Sequence, residues 1–232
     1  MFGLLNIDKP QGLTSRDAVN HVQRLVRGVK VGHAGTLDPN ATGLLILLLG
    51  RGTKLSDKLM SADKVYEGTM KFGEATNSFD ADGEVTATAP VPPLTVEQLN
   101  EAAAVYVGDL LQTPPMVSAA KVGGVPLYKL ARKGVEVERK PRLVHIYTFR
   151  FSEYQAPIGT FRVACTKGTY VRSLTHDLGQ RLGCGAHLAT LRRTASGRFD
   201  VLDALPFAQV LELRPSDLAA RVIPFLKLAA AD

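Results

Sequence analysis

The spacing of apolar positions divides the chain into strand-like and helix-like segments. Residues 4–8, "LLNID", are a short apolar run ending in the turn formers "KPQG", which predicts a strand. In "TSRDAVNHVQRLVRG", Val19, Val22, Leu25 and Val26 share one helical face, with Thr14 or Ser15 as N-cap and Gly28 as the stop. Residues 44–49, "LLILLL", lie between Gly43 and Gly50; six aliphatics bounded by glycines favour a buried strand over a helix segment. "TKLSDKLMS" reads as helical. "KVYEGTMKFG" alternates, Val65, Glu67, Thr69 and Lys71 on one side and Tyr66, Met70 and Phe72 on the other, and predicts a strand. Residues 73–94 collect turn formers and prolines and read as a surface loop.

"TVEQLNEAAAVYVG" opens with Thr95 and Gln98 at capping-box spacing and closes on Gly108, a second helix. A Pro- and Gly-rich segment over residues 114–142 follows, with one short helical stretch at 127–132, and reads as a flexible insertion. "LVHIYTFRF" and "TFRVACTKG" are strands, "YVRSLTHDLGQRLG" is a helix, and "AHLATLRRTASGRFDV" is a strand running into a turn. There is no steady βαβ alternation and no internal repeat. The expected class is α+β, with a mixed, largely antiparallel sheet flanked by helices.

With 232 residues and 45% hydrophobic composition the chain can bury a sizeable core. Its longest aliphatic run is far below the roughly 18–20 residues a membrane helix needs, and no signal-peptide pattern follows the N-terminus, so a cytoplasmic protein is expected. Cys165 and Cys184 lack metal-binding spacing, and no metal site is indicated. The net charge of +6 is unevenly placed. Residues 121–145 hold seven Lys/Arg against Glu136 and Glu138, and residues 162–198 hold seven more against Asp177 alone. Such clustering is an electrostatic footprint for a polyanion, or else two solvated basic faces.

Candidate chemistry concentrates in residues 32–43, "GHAGTLDPNATG". Gly32, Gly35 and Gly43 permit backbone conformations closed to other residues, and Pro39 biases Asp38 away from the helical region. The Asp38 carboxylate could close the turn by accepting backbone N–H groups. It could also be held beside a substrate as a nucleophile or base. A phosphate-cradling loop is set aside, because no GxxxxGK[ST] or GxGxxG pattern is present and a central carboxylate would repel phosphate.

This segment resembles the catalytic motif of the TruB family of tRNA pseudouridine synthases. "LLNIDKPQGLTS", "DKVYEGTMKFG", "TPPMVSAAKVGGVPLYKLARKG" and "CTKGTYVRSLTHDLGQRLGCGAHLATLRR" resemble further motifs of that family in the expected order, covering roughly residues 3–203. The resemblance implies the pseudouridine synthase fold and isomerisation of uridine 55 in the T loop of tRNA by base flipping, without a cofactor. It implies Asp38 as the nucleophile, Tyr66 as the tyrosine that stacks on the base, and Arg172 as the arginine that pairs with the aspartate. Tyr170 and Leu191 match residues of the uracil pocket, and His33 the histidine that fills the vacated stack in the T loop. Lys9, in the "DKP" turn, is structural or touches the substrate RNA. The insertion is implied to be mobile, and its Lys121, Lys129, Arg132 and Lys133 are implied to meet phosphates of the T arm.

A catalytic domain is expected over residues 1–207. A short helical tail is expected over 208–232, in place of the C-terminal PUA domain that bacterial members commonly carry. That domain and partner proteins serve the guide-RNA-dependent relatives, so tRNA is the expected partner, with no membrane, no obligatory protein partner and a monomeric state. A tRNA-binding protein that assists folding without chemistry is the alternative, and it has no need of the Asp38, Tyr66 and Arg172 set.

Overall fold

The computed structural model describes residues 2–225, and the chain folds as two compact units. The first comprises the chain up to Lys64 and again from Arg192 onward; the second is Val65–Leu191.

The first unit starts with strand β1 (Gly3–Lys9), helix α1 (Ser15–Leu25) and strands β2 (Val31–His33) and β3 (Thr42–Leu49). Thr14 caps α1 in a reciprocal box with Asp17. A 3-10 turn (Gly50–Leu55) and helix α2 (Ser56–Ser61) lead out of β3. β1 and β3 pair antiparallel from Gly3↔Leu49 to Lys9↔Gly43, and β2 lies antiparallel to β3. Gly43 to Leu49 are all buried, which is why the "LLILLL" run shows no alternation: both faces of β3 are covered. Leu4, Ala34, Leu44, Ile46, Leu48 and Val201 form one apolar cluster of this unit.

The second unit takes up β4 (Lys64–Phe72) from Val65 onward and continues with β5 (Glu74–Thr76), β6 (Val85–Thr88), α3 (Val96–Ala104) and β7 (Gly108–Gln112). The hairpin β8 (Lys121–Val122) and β9 (Val125–Pro126) and helix α4 (Leu127–Ala131) form the insertion. β10 (Arg142–Gln155), β11 (Ile158–Cys165) and α5 (Val171–Arg181) follow, and β12 (Ala186–Ser196) starts here and ends in the first unit. The strand order is β12-β4-β11-β10-β7, with β10 antiparallel to both β11 and β7. Phe72, Phe149, Phe151 and Phe161 meet in edge and tilted contacts at 5.5–6.3 Å, and Leu99 and Ala103 of α3 and Leu174 and Leu178 of α5 belong to the same cluster.

Back in the first unit, β12 runs parallel to β3 and antiparallel to β13 (Phe199–Asp200). β14 (Leu205–Pro206) and β15 (Ile223–Pro224) pair with β1, separated by α6 (Phe207–Glu212) and α7 (Pro215–Arg221). Residues 226–232, the end of the segment expected as a helical tail, lie outside the described residues.

The α+β class and mixed, mainly antiparallel sheet agree with the sequence expectation. Residues 73–94 do not form the expected loop. They hold the β5–β6 hairpin, and Ala75, Thr76 and Ser78 are buried. β7 is a second departure: Leu110 and Leu111 carry too little alternation to reveal a strand, which forms because β10 offers it a partner. Among the described residues no helix is long and apolar enough to cross a membrane.

Leu47 is fully buried and sits opposite both Leu5 and His33. Leu47→Ala is expected to cost about 2–5 kcal/mol of unfolding free energy in denaturant titration. Leu202→Ala, at a position 89% exposed, is expected to change it by less than about 0.5 kcal/mol.

Candidate active site

Asp38 lies between β2 and β3, and its backbone is held on both sides. The buried Ser15 hydroxyl accepts from Leu37 N–H at 2.9 Å and lies 3.1 Å from Leu37 C=O, to which it donates. Pro39 C=O accepts from Gly12 N–H at 2.9 Å, and Ala41 N–H donates to Asp38 C=O at 3.1 Å. Leu37 and Ala41 are buried while Thr36, Asp38 and Asn40 are exposed, so the loop anchors by its apolar residues and presents its polar ones.

Two buried cations complete the anchoring. Lys9 has no exposed surface, and its ammonium donates to the carbonyls of Pro10 (2.9 Å), Leu13 (2.7 Å) and Pro39 (3.0 Å). Three donors meet three acceptors. Of the two roles the sequence leaves open for Lys9, this geometry supports the structural one: the ammonium is enclosed and its donors are engaged. Arg193, 1% exposed, donates from Nε to Leu44 C=O at 2.8 Å and from Nη2 to Gly35 C=O at 3.1 Å, joining the two stems of the loop. Gly43 has φ +98°, and a Cβ there would stand 2.3 Å from the Arg193 carbonyl oxygen, so the close approach requires glycine. The preceding residue, Arg192, points the other way and makes a two-bond pair with Asp8 at 2.9 and 2.6 Å.

Burial lowers the Lys9 pKa to about 8; the neighbouring Asp38 carboxylate opposes the shift and Arg193 adds to it. His33, half-buried on β2, is also shifted down, first by burial and then by Arg16 and Arg193, so its imidazole favours the neutral form.

The second unit carries Tyr66, Tyr170, Arg172 and Leu191. Tyr66 on β4 and Leu191 on β12 are partly buried against the aromatic cluster. Tyr170 is the N-cap residue of α5, and its backbone is gripped by the buried Gln112: the carboxamide donates to Tyr170 C=O at 2.9 Å and accepts from Tyr170 N–H at 2.7 Å. Arg172, two residues on, is 5% exposed. Within this unit it donates to Asp80 Oδ2 (2.9 Å), Ser78 C=O (3.3 Å) and Val117 C=O (2.8 Å). Ser15, Arg193, Gln112 and Asp80 escape sequence reasoning. Each is an ordinary polar residue until the fold brings it to its partner; "SFDADG" around Asp80 reads only as a turn.

Lys121, Lys129, Arg132 and Lys133 of the insertion are all exposed. The Arg132 guanidinium lies over the Tyr128 ring at 5.6 Å. The insertion is tied at its base through Arg139 to Pro114 C=O at 3.2 Å and through the Val117 contact to Arg172. Among the described residues no group of three or more His, Cys, Asp or Glu side chains is arranged to hold a metal.

Lys9→Met strips three carbonyls of their donor and is expected to lower unfolding free energy at pH 7 by about 2 kcal/mol or more. The folded-state pKa of about 8 lies below the ordinary 10.5, so between these values the unfolded chain binds more protons and raising the pH favours folding. The stability gap between wild type and variant is therefore expected to widen from pH 8 to 10.5, by at most ~1.4 kcal/mol per pH unit. Denaturant titrations of both proteins at several pH values check this; a gap that narrows in that window overturns it.

Comparison with known proteins gives the family. Residues 23–171 match the TruB family pseudouridylate synthase (N terminal domain), and residues 172–225 match the tRNA pseudouridylate synthase B C-terminal domain. A protein of Opitutus terrae named tRNA pseudouridine synthase B is 53% identical over 227 residues, covering 98% of this chain and 94% of its own. Proteins of the same name from Dechloromonas aromatica and Bordetella pertussis are 48% and 46% identical, over 96% of this chain and 74% and 95% of theirs. Among solved structures, a chain of a Cbf5-Nop10-Gar1 complex superposes with a TM-score of 0.70 at 28% identity; the match covers 91% of this chain and 54% of that one. The chain belongs to the TruB family of pseudouridine synthases, enzymes that isomerise uridine to pseudouridine in tRNA.

Proposed function

We propose that the enzyme acts on uridine 55 in the T loop of tRNA, flipping the nucleotide out of the loop and attacking it with the Asp38 carboxylate. The observation that carries this reading is a contrast within one loop. The Asp38 backbone is fixed on both sides while its side chain is exposed. A nucleophile must hold its geometry and still reach substrate, and a rigid backbone under an exposed carboxylate meets both demands.

The reaction balances without a co-reactant. A carboxylate oxygen of Asp38 bonds to C1′ as the N1–C1′ bond breaks, the uracil turns, C5 bonds to C1′ as the carboxylate leaves, the C5 proton leaves and N1 takes up a proton. Tyr66 stacks on the target base and takes part in its deprotonation, and Tyr170 and Leu191 line the uracil. Arg172 is the cation that the family resemblance assigns to the carboxylate, orienting it. Flipping loses a few kcal/mol of stacking; His33, neutral through burial, fills the vacated space. Lys121, Lys129, Arg132 and Lys133 meet T-arm phosphates, which recognises the shape of the arm rather than its bases. The enzyme works in the cytoplasm as a monomer without an obligatory protein partner.

A T-arm stem-loop labelled with [5-³H]uridine releases tritium only if C5 exchanges its proton for the C1′ bond. Wild type is expected to release it, and Asp38→Asn to abolish release while changing RNA binding by less than about tenfold, or 1.4 kcal/mol. Turnover by Asp38→Asn near the wild-type rate overturns the nucleophile assignment. Absence of release by wild type turns the reading to a tRNA-binding role. For the insertion, Lys129→Ala and Arg132→Ala are each expected to reduce the slope of log K against log salt by about 1 in filter-binding titrations; unchanged slopes remove these residues from the interface.

A further inference from the structure

Phe79 is, among the described residues, the one non-glycine residue with a positive φ, +67°. A bulky side chain is an outlier in that region, where the Cβ crowds the backbone. Asn77, Asp82 and Gly83, which tolerate the conformation better, stand in the same turn, yet it falls on the phenylalanine.

Three sets of contacts hold Phe79 there. Its N–H donates to Thr76 C=O at 3.2 Å. Its C=O accepts from Leu188 N–H at 2.9 Å, and Ala81 N–H donates to Leu188 C=O at 3.0 Å, so the turn is bridged to β12. Its ring stacks on the His176 imidazole, with centroids 3.9 Å apart and planes 20° from parallel. His176 Nδ1 is buried without a hydrogen-bond partner, and burial lowers the pKa of the ring. The imidazole therefore serves Phe79 as a flat, largely neutral surface.

The residues on either side of Phe79 are the ones that Arg172 grips. Ser78 contributes its C=O and Asp80 its carboxylate to the same Nη1. The left-handed residue between them turns the chain so that a backbone acceptor and the next side chain face one guanidinium. The Asp80 carboxylate is aimed further by Ser78 Oγ at 2.5 Å and Asp82 N–H at 3.1 Å. Arg172 and His176 are four residues apart on α5, which places them one turn apart on the same face. One helix face thus holds the turn twice, by charge at Ser78 and Asp80 and by ring stacking at Phe79.

We propose that Phe79 and His176 are positioning residues for Arg172: their stack locks the turn in the one conformation that presents Ser78 C=O and the Asp80 carboxylate to the guanidinium together. The proposal rests on the participation of Arg172 in the isomerisation. Neither ring needs to touch RNA for this role.

Single-turnover tritium release, RNA binding and thermal unfolding of Phe79→Gly, His176→Ala and His176→Phe test it. Phe79→Gly keeps the positive φ and removes the ring; His176→Phe keeps a flat ring and removes the imidazole. Phe79→Gly and His176→Ala are expected to slow the step about tenfold or more, with RNA affinity and unfolding midpoint near wild type, and His176→Phe to recover most of the rate. In an Asp80→Asn background, Phe79→Gly is expected to slow the step less than about twofold further, because both changes act through one guanidinium. Rates within twofold of wild type for both ring-deleting variants overturn the proposal, as does full additivity with Asp80→Asn. If Phe79→Gly does not fold, the two His176 variants carry the same comparison. Arg172→Met separates the two readings: if it retains wild-type turnover, the role of Arg172 falls; if it is inactive while the ring variants are unaffected, only the positioning role falls.

Discussion

Lys9 and Arg193 place two positive charges out of reach of water, and their hydrogen bonds go to five backbone carbonyls: those of Pro10, Leu13 and Pro39 for the lysine and of Gly35 and Leu44 for the arginine. A buried charge is costly unless its donors are engaged, and a buried carbonyl is costly unless it accepts. Each cost is met here by the other. Moving the Asp38 loop would break the Lys9–Pro39 and Arg193–Gly35 bonds and leave a donor of each buried cation without its acceptor, which favours the position the loop holds. The glycine at 43 follows from the same constraint, since the Arg193 backbone comes too close there for any Cβ.

The second unit repeats the device with different parts. Arg172 is nearly buried and is met by a carboxylate and two carbonyls drawn from residues 78–80 and 117. Gln112 fixes the neighbouring Tyr170 backbone with both ends of one carboxamide. In both units the candidate groups are held by polar contacts to main chain on well-packed elements, the kind of support that keeps a reacting geometry within tolerance.

Burial also sorts the basic residues. The charge clustering in residues 162–198 looks in sequence like a footprint for RNA, yet Arg172 and Arg193, two of its seven cations, are buried and spend their donors inside the protein. In the insertion, Lys121, Lys129, Arg132 and Lys133 are all exposed and open to phosphate. Counting charges could not separate an arginine that builds a loop from one that can face a polyanion.

What the sequence by itself determined is local. The helical spacing and capping boxes of α1 and α3, the buried run of β3, the alternation of β4 and the glycine-rich turn around Asp38 depend on residues within four positions of one another, and these stand in the structure as the pattern implies. The order of motifs likewise named the family without a structure. Tertiary structure alone decided what holds the candidate groups in place. Asp80 meets Arg172 across 92 residues, Gln112 meets Tyr170 across 58, Lys9 meets Pro39 across 30 and Arg193 meets Gly35 across 158. No periodicity reaches that far. A side chain's hydrogen-bonding capacity is written in its identity, but which carbonyl or carboxylate answers it depends on where the folded backbone brings the two together.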